Sequence, residues 1–589
     1  MKGKRACLLL GCLGVVAVLL LAIGVWMTLG SGPKPVPKRA YLELDLEQGL
    51  VEYAPDDPFA QAFGGDQTTV RDVVEALGRA ADDKRVTALL ARVGAAPMGL
   101  GQVQEVRDAV AAFRAAGKPA IAWAETFGEF GPGNGAYYLA SPFDEIHLQP
   151  SGDIGLTGLI YESPFIRGTL DKLGVVPHGD HRYEYKNALN MFTEREYTAP
   201  HEEAMAVLMR SQFEQMVRGI AADRGLSPDE VRALFDRGPL LGPEALEAKL
   251  VDRLAYRDEV YDLVEERAGE GADALGLEPY LKRAGRPHRK GTVIALIYGV
   301  GGVARGESGY DPLTGSFTMG SETVAGALRD AVEDDDVKAI LFRVDSPGGS
   351  YVASDTIWRE TVRAKEAGKP VVVSMADVAG SGGYFVAMAA DKIVAQPGTI
   401  TGSIGVLSLK FLTQGFWDKL GISWDEVHTS ANSQFWTGLA DYTPEGWARF
   451  QTWLDRIYED FTTKVAEGRG LPKEEVLKIA KGRIWTGEDA KALGLVDELG
   501  GFPVALRLAR EAAGLAPDAP IRLKLFPPRK TFFQSLSEMF DSGGEEVAAR
   551  AAAVRAVRAL QPAARAAARL GLLGEPMELA MPPIEPHTW

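Results

Sequence analysis

The feature that most constrains this chain is an internal repeat. Residues 87–93 (TALLARV) and 338–344 (KAILFRV) stand 251 positions apart, and each leads through a helix-like run to Gly-Lys-Pro, at Gly117-Lys118-Pro119 and Gly368-Lys369-Pro370. Residues 137–150 (YYLASPFDEIHLQP) match 384–397 (YFVAMAADKIVAQP) at an offset of 247, as Asp171-Lys172-Leu173-Gly174 matches Asp418-Lys419-Leu420-Gly421. Arg224-Gly225-Leu226 and Leu250-Val251-Asp252 recur at an offset of 245 as Arg469-Gly470-Leu471 and Leu495-Val496-Asp497. So small a drift confines insertions and deletions to surface loops. Length alone predicts about four domains or two larger ones, and the pattern predicts two copies of one unit of roughly 250 residues.

Each copy opens on an apolar run that reads as a strand, at residues 40–44 and 292–297. Apolar β-rich runs then alternate with segments of helical period, such as 322–332 and 354–367, so each copy is predicted to be α/β with a mostly parallel sheet. Residues 199–224 and 444–469 read as long amphipathic helices packed outside. The first repeat is taken as 40–282 and the second as 292–527, joined by a basic, Pro-containing linker at 283–291 (RAGRPHRKG). Residues 528–589 form a tail whose Ala/Arg-rich part, 545–573, predicts a helix without indicating a role.

The N-terminus sets the expected address. After Lys2, Lys4 and Arg5, residues 6–31 carry no charge, a run longer than the about 20 residues that cross a bilayer. A secretory signal has an apolar region of only about 7–15 residues, so residues 1–31 read as a retained anchor in preference to a cleaved signal. Leu9-Leu10-Gly11-Cys12 resembles a lipoprotein box, but six residues between Arg5 and Cys12 are too few for one. Residues 32–39, rich in proline, read as a stiff spacer. Positive charge flanks both ends of the run, and export of the large body is the simpler topology. Cys7 and Cys12, the only cysteines, both lie in the run, so the body has no disulfide, thiolate metal site or cysteine nucleophile. A net charge of -16 argues against a nucleic-acid-binding face.

The copies differ where chemistry would sit. In the second, the strand ending at Val344 runs into Asp345-Ser346-Pro347-Gly348-Gly349, where paired glycines let backbone N–H groups point outward to hold an oxyanion. The first copy has Gly94-Ala95-Ala96-Pro97-Met98 there. One strand later the second copy has Ala379-Gly380-Ser381-Gly382-Gly383 at a helix start, a setting for an exposed nucleophile. Asn134 replaces Ser381 in the first copy, and an amide cannot act as nucleophile. Serine at a helix start is most often an N-cap; the paired-glycine turn favours the nucleophile. None of the seven histidines lies in a triad-like motif. Tyr183-Glu184-Tyr185-Lys186-Asn187-Ala188 of the first copy instead offers Lys186, where the second has Ser433. The complementary losses predict a Ser–Lys dyad built across the copies, with burial lowering the Lys186 pKa.

Together DSPGG, AGSGGY, TGSIG (401–405), YKNA and WTGEDAKALGLVDELG (485–500) resemble the signal peptide peptidase A family, also called protease IV, in its long duplicated form. The resemblance spans about residues 40–525. It implies a Clp/crotonase-like ββα superhelix in each repeat, one transmembrane helix before them, and a homotetrameric bowl at the outer face of a bacterial inner membrane. It implies cleavage of hydrophobic peptides, chiefly spent signal peptides, without metal or organic cofactor. Ser381 would be the nucleophile, Lys186 the base, and Ser403 the residue that orients the lysine. The amides of Gly349 and Gly382 would form the oxyanion hole, with Gly348 shaping the turn.

Two other readings fit parts of the pattern. A crotonase-type CoA-thioester enzyme would use the same paired amides, but no basic cluster by the first strand supports it. A non-hydrolytic membrane scaffold draws on the degenerate first copy. Glycines 299, 301, 302 and 306 miss the dinucleotide spacing, Asp334-Asp335-Asp336 reads as a solvated turn, and HExxH is absent.

Overall fold

The computed structural model describes residues 34–54, 67–94, 98–311, 314–528 and 579–581. The expected anchor (1–31) and most of the tail lie outside the described residues, as do Ala95, Ala96 and Pro97 of the first-repeat turn. Among the described residues no helix is long and apolar enough to cross a membrane.

Each repeat is built on a parallel sheet, and the strand order is the same in both. In the first it runs Arg253–Leu254, Glu145–Leu148, Ala120–Ala124, Val86–Arg92, Ala40–Asp45, Asp273–Gly276. In the second it runs Glu498–Leu499, Lys392–Ala395, Val371–Gly380, Val337–Ser346, Thr292–Val300, Ile521–Phe526. Helices cover both faces, so the central strands read as unbroken apolar runs, and Ala120–Ala124 is buried at every position. Here the sequence pattern and the structure agree on a mixed α/β class.

The long helices begin and end as local chemistry dictates. Pro444–Arg469 starts where Thr443 Oγ1 accepts the Gly446 N–H at 3.0 Å and stops at Gly470, whose φ of +64° suits glycine. Ala199–Arg224 has the same 26-residue length, a proline in its first turn and Gly225 at φ +66° after its end.

The repeats interlock. The helix Leu100–Ala115 of the first points its N-terminus at Val371–Gly380 of the second, where Asp377 accepts the Gly101 N–H at 3.0 Å. Arg343, almost fully buried, lies between Glu52 and Glu105 of the first repeat at 2.7 and 2.8 Å. Removing one partner from such a buried group costs about 3–5 kcal/mol, because it leaves a charge uncompensated. Asp345 and Asp377 adjoin this network, and burial pushes both carboxyls up to about 6, helped by the charge of Asp377 on Asp345 and of Glu52 on Asp377. The stretch read as a linker is not a loose connection. The helix Leu277–Ala284 runs into it, and Arg286 pairs with Asp72 and with Glu75, tying it to the first repeat.

A two-stranded antiparallel ribbon completes the junction, pairing Val176–His181 with Leu407–Leu412 from His181↔Leu407 to Val176↔Leu412. Arg182 N–H continues the ribbon to Val406 O at 3.0 Å. Lys186 follows the first strand and Ser403 precedes the second, so this one pairing brings the two repeats' polar residues to the same place.

Candidate active site

Ser381 sits between the strand Val371–Gly380 and the helix Gly382–Ala387 with φ +54° and ψ -113°, a conformation rarely adopted by a residue with a side chain. Such strain persists only where the surroundings impose it. Its own N–H donates to Gly402 O at 2.8 Å, and its carbonyl accepts the Phe385 N–H at 2.8 Å. Its hydroxyl makes no cap bond to the helix, so the side chain is left for another partner. The expectation of an exposed serine is corrected, for Ser381 is fully buried.

That partner is Lys186. Its Nζ lies 2.8 Å from Ser381 Oγ, 2.9 Å from the Ser403 carbonyl oxygen and 3.0 Å from Ser403 Oγ. Lys186 is fully buried, and burial alone holds its ammonium well below the ordinary lysine value of 10.5. Among the described residues no carboxylate is a hydrogen-bond partner of Lys186 that would restore the charge. Ser433, its counterpart in the second repeat, lies exposed in a loop and bonds locally to Ser430.

The glycine turn adjoins the serine. Gly348 and Gly349 have φ of +105° and +153°, open to glycine, and a Cβ on Gly349 would stand 2.1 Å from Val303 O. A Cβ on Gly382 would lie 3.0 Å from Gly349 N and 3.1 Å from Gly348 Cα. The residues expected to furnish the oxyanion amides are thus packed edge to edge, and only the absence of side chains keeps the space between them open. The Ser381 amide is not available for that task, since Gly402 O holds it.

Three features escape the sequence reading. Gly482, at φ +81°, lies flat against the lysine, where a Cβ would come within 2.6 Å of Lys186 N, Cα and Cβ. The preceding Lys481 reaches back to Glu184 at 2.9 Å. Residues 579–581 of the tail run beside the glycine turn, Gly348↔Ala580 and Gly349↔Leu579 pairing antiparallel. The third is the Asp345–Asp377 group near the C-terminal ends of the strands Val337–Ser346 and Val371–Gly380. A glycine three residues before the 485–500 motif is a usable signal for Gly482; nothing local marks the tail.

The first repeat has the same frame with Asn134 where the second has Ser381. Asn134 Oδ1 accepts the N–H groups of Thr157 and Gly158 at 2.9 and 3.1 Å, and its Nδ2 donates to Gly158 O at 2.8 Å. Among the described residues no cluster of three or more His, Cys, Asp or Glu could hold a metal ion.

Comparison with known proteins agrees with the duplication. The family model "Peptidase family S49" matches this chain twice, over residues 112–270 and 363–516. The chain is 32% identical over 523 residues to "Protease 4" of Salmonella typhi, covering 85% of this chain and 82% of that one. It is 32% identical over 472 residues to "Protease 4" of Haemophilus influenzae, covering 77% and 74%. It is 30% identical over 452 residues to "Serine protease SPPA, chloroplastic" of Arabidopsis thaliana, covering 74% and 64%. With a serine held against a buried amine and a match in each repeat, the chain belongs to peptidase family S49 and is a serine protease.

Proposed function

We propose that the protein is a membrane-anchored endopeptidase whose Ser381–Lys186 dyad degrades hydrophobic peptides, chiefly signal peptides left in the membrane. The observation that carries this reading is the 2.8 Å approach of Lys186 Nζ to Ser381 Oγ in a fully buried site, each residue coming from a different repeat.

A neutral amine has two N–H bonds and one lone pair. With the N–H groups donated to the Ser403 carbonyl and Ser403 Oγ, the lone pair is aimed at the Ser381 hydroxyl, and Ser403 orients the base. Lys186 takes the Ser381 proton as Oγ attacks the peptide carbonyl. The amides of Gly349 and Gly382 stabilise the oxyanion, with Gly348 shaping the turn. Collapse of the tetrahedral intermediate passes the proton from the lysine to the leaving amine. Water activated by the same lysine then hydrolyses the acyl-enzyme and frees Ser381. None of these steps draws on a cofactor.

Each repeat is inferred to be a Clp/crotonase-type ββα superhelix, a reading supported by the shared strand order and by the placement of the glycine turn. The same reading holds residues 1–31 in the bacterial inner membrane as a single span, with the body on the periplasmic side and the chain assembled as a homotetramer. The test is covalent labelling by an acyl-serine probe. Ser381 is expected to carry the adduct in the native protein, with none in Ser381→Ala and loss of labelling in Lys186→Ala; undiminished labelling of Lys186→Ala would sink the dyad.

A further inference from the structure

The strands that carry the glycine turn and the nucleophile do not pair evenly to their ends. Val337–Ser346 and Val371–Gly380 run in register from Ile340↔Val371 to Val344↔Met375, and pairing resumes only at Ser346↔Ala379. Ala376, Asp377 and Val378 thus stand opposite the single residue Asp345, shortly before Ser381. Bulges re-aim the side chains near them and are frequent beside active sites. The matching pair in the first repeat, from Leu89↔Ala120 to Arg92↔Trp123, has no such break.

The groups freed by the bulge find specific partners. The Val378 N–H donates to the Asp345 carboxylate at 3.0 Å, and the Asp377 N–H donates to it as well. The Ala376 carbonyl accepts the Thr399 hydroxyl at 2.7 Å. The Asp345 carbonyl accepts the Gly301 N–H at 2.9 Å, two residues before Val303, which pairs with Gly349. The Asp377 side chain reaches the first repeat, where it accepts the Gly101 N–H at 3.0 Å and that of Gln102 beside it. These are orphan donors at the start of the helix Leu100–Ala115, whose N-cap Gly99 has no side chain to satisfy them. A Cβ on Gly99 would stand 1.6 Å from Asp377 Oδ2, so Asp377 fills the place of a cap from 276 positions away in the chain.

We infer that Asp377 and Asp345 are positioning residues for the reaction: through them the helix Leu100–Ala115 of the first repeat fixes the bulge that aims Ser381 at Lys186 and at the glycine turn. The inference rests on the active-site reading above. A helix N-terminus attracts a carboxylate, and a hydrogen bond to an ionised acceptor is about twice as strong as a neutral one, so the helix holds the bulge more firmly than a ladder bond would. Asp345 then ties the nucleophile strand to the turn strand at the point where the ladder is broken. The first repeat thereby contributes twice to the reaction. It supplies the base, and it sets the spacing between the nucleophile and the amides that face the oxyanion.

The test uses the full-length protein, a fluorogenic hydrophobic peptide and an acyl-serine probe. Asp377→Ala removes the acceptor and is expected to lower kcat and the rate of Ser381 labelling together by ~10–10^2-fold, the loss that a misplacement of about 1 Å brings, with KM little changed. Asp377→Asn keeps a side-chain oxygen for the Gly101 N–H and should bring both rates back to within ~5-fold of native. Gly101→Ala acts from the first repeat, where a Cβ would meet Ala376 O at 2.8 Å, and should give the same selective loss of kcat. Native kcat and labelling rate in Asp377→Ala overturn the inference, as does a change confined to KM or a loss that Asp377→Asn does not repair. If Asp377→Ala does not fold, Gly101→Ala decides, and native kcat there is the overturning result. Failure of the native protein to label at Ser381 would remove the dyad itself, which tells the two failures apart.

Discussion

The two repeats order their strands identically and differ in how far those strands extend. Ala120–Ala124 has five residues, whereas its counterpart Val371–Gly380 has ten and delivers Ser381 at its end. Val86–Arg92 has seven, and Val337–Ser346 has ten and delivers the glycine turn. Where the short strands stop, Asn134 fastens the neighbouring loop with hydrogen bonds to Thr157 and Gly158. Where the long strands continue, Ser381 is held in a strained backbone beside an amine. The first repeat has a structural tie, Asn134, at the position of Ser381 and carries Lys186; the second carries Ser381 and has Ser433 on the surface. Neither unit holds a complete dyad by itself.

The largest effects should fall on the dyad. Ser381→Ala and Lys186→Ala are each expected to lower kcat by ~10^4-fold or more, as for groups that act as a unit. Adding Asn134→Ser to Ser381→Ala should restore nothing, because the first repeat has no paired glycines at the matching position and Ser433 stands where its lysine partner would be; recovered peptidase activity would break the comparison. Next comes Gly382→Ala. Its Cβ would stand 3.0 Å from Gly349 N, and kcat should drop ~10^2–10^3-fold, the loss typical of an oxyanion donor. Gly135→Ala, at the matching position, should leave kcat unaltered.

Ser403→Ala is expected to lower kcat by ~10–10^2-fold through loss of base orientation. In the native enzyme kcat/KM should rise with pH as Lys186 loses its proton, at a pH well below 10.5. The Ser403 hydroxyl accepts more strongly from an ammonium than from an amine, so its removal should move that limb to lower pH; an unmoved limb would argue against the contact. Asn134→Ala should spare activity and reduce stability by ~0.5–1.5 kcal/mol, measured by denaturant unfolding, because it removes the acceptor shared by the part-buried N–H groups of Thr157 and Gly158. The smallest effect is on the pH dependence of stability. Asp345 and Asp377 have native values raised to about 6 from 3.8, so the native state holds extra protons between those values. Their stabilising contribution is present below about 4 and lost as pH rises through about 6. Asp377→Asn should flatten that decline in Tm, and an identical slope would show that the carboxylate is not protonated there.

Much of this was visible in the sequence because it is local. The helices Ala199–Arg224 and Pro444–Arg469 match the predicted spans, since apolar period, proline at the start and glycine at the end all lie within the segment. Lys186 was found through its place in the repeat, as lysine alone carries no signal. What escaped depends on partners distant in the chain. Nothing near Arg343 announces that Glu52 and Glu105 will surround it, and nothing in residues 579–581 distinguishes that strand from the rest of a tail. The exposed serine was inferred from helix-start chemistry, which cannot register what packs above it.

The separation of Lys186 from Ser381 by 195 positions also has a consequence in time. At ~5–20 residues per second, roughly 10–40 s pass between synthesis of Lys186 and of Ser381, and the first repeat can fold during that interval. The ribbon between Val176–His181 and Leu407–Leu412 cannot close until the second repeat has emerged. A nascent chain that ends before the second repeat therefore holds Lys186 without Ser381, and the two meet only once the later half of the molecule is made.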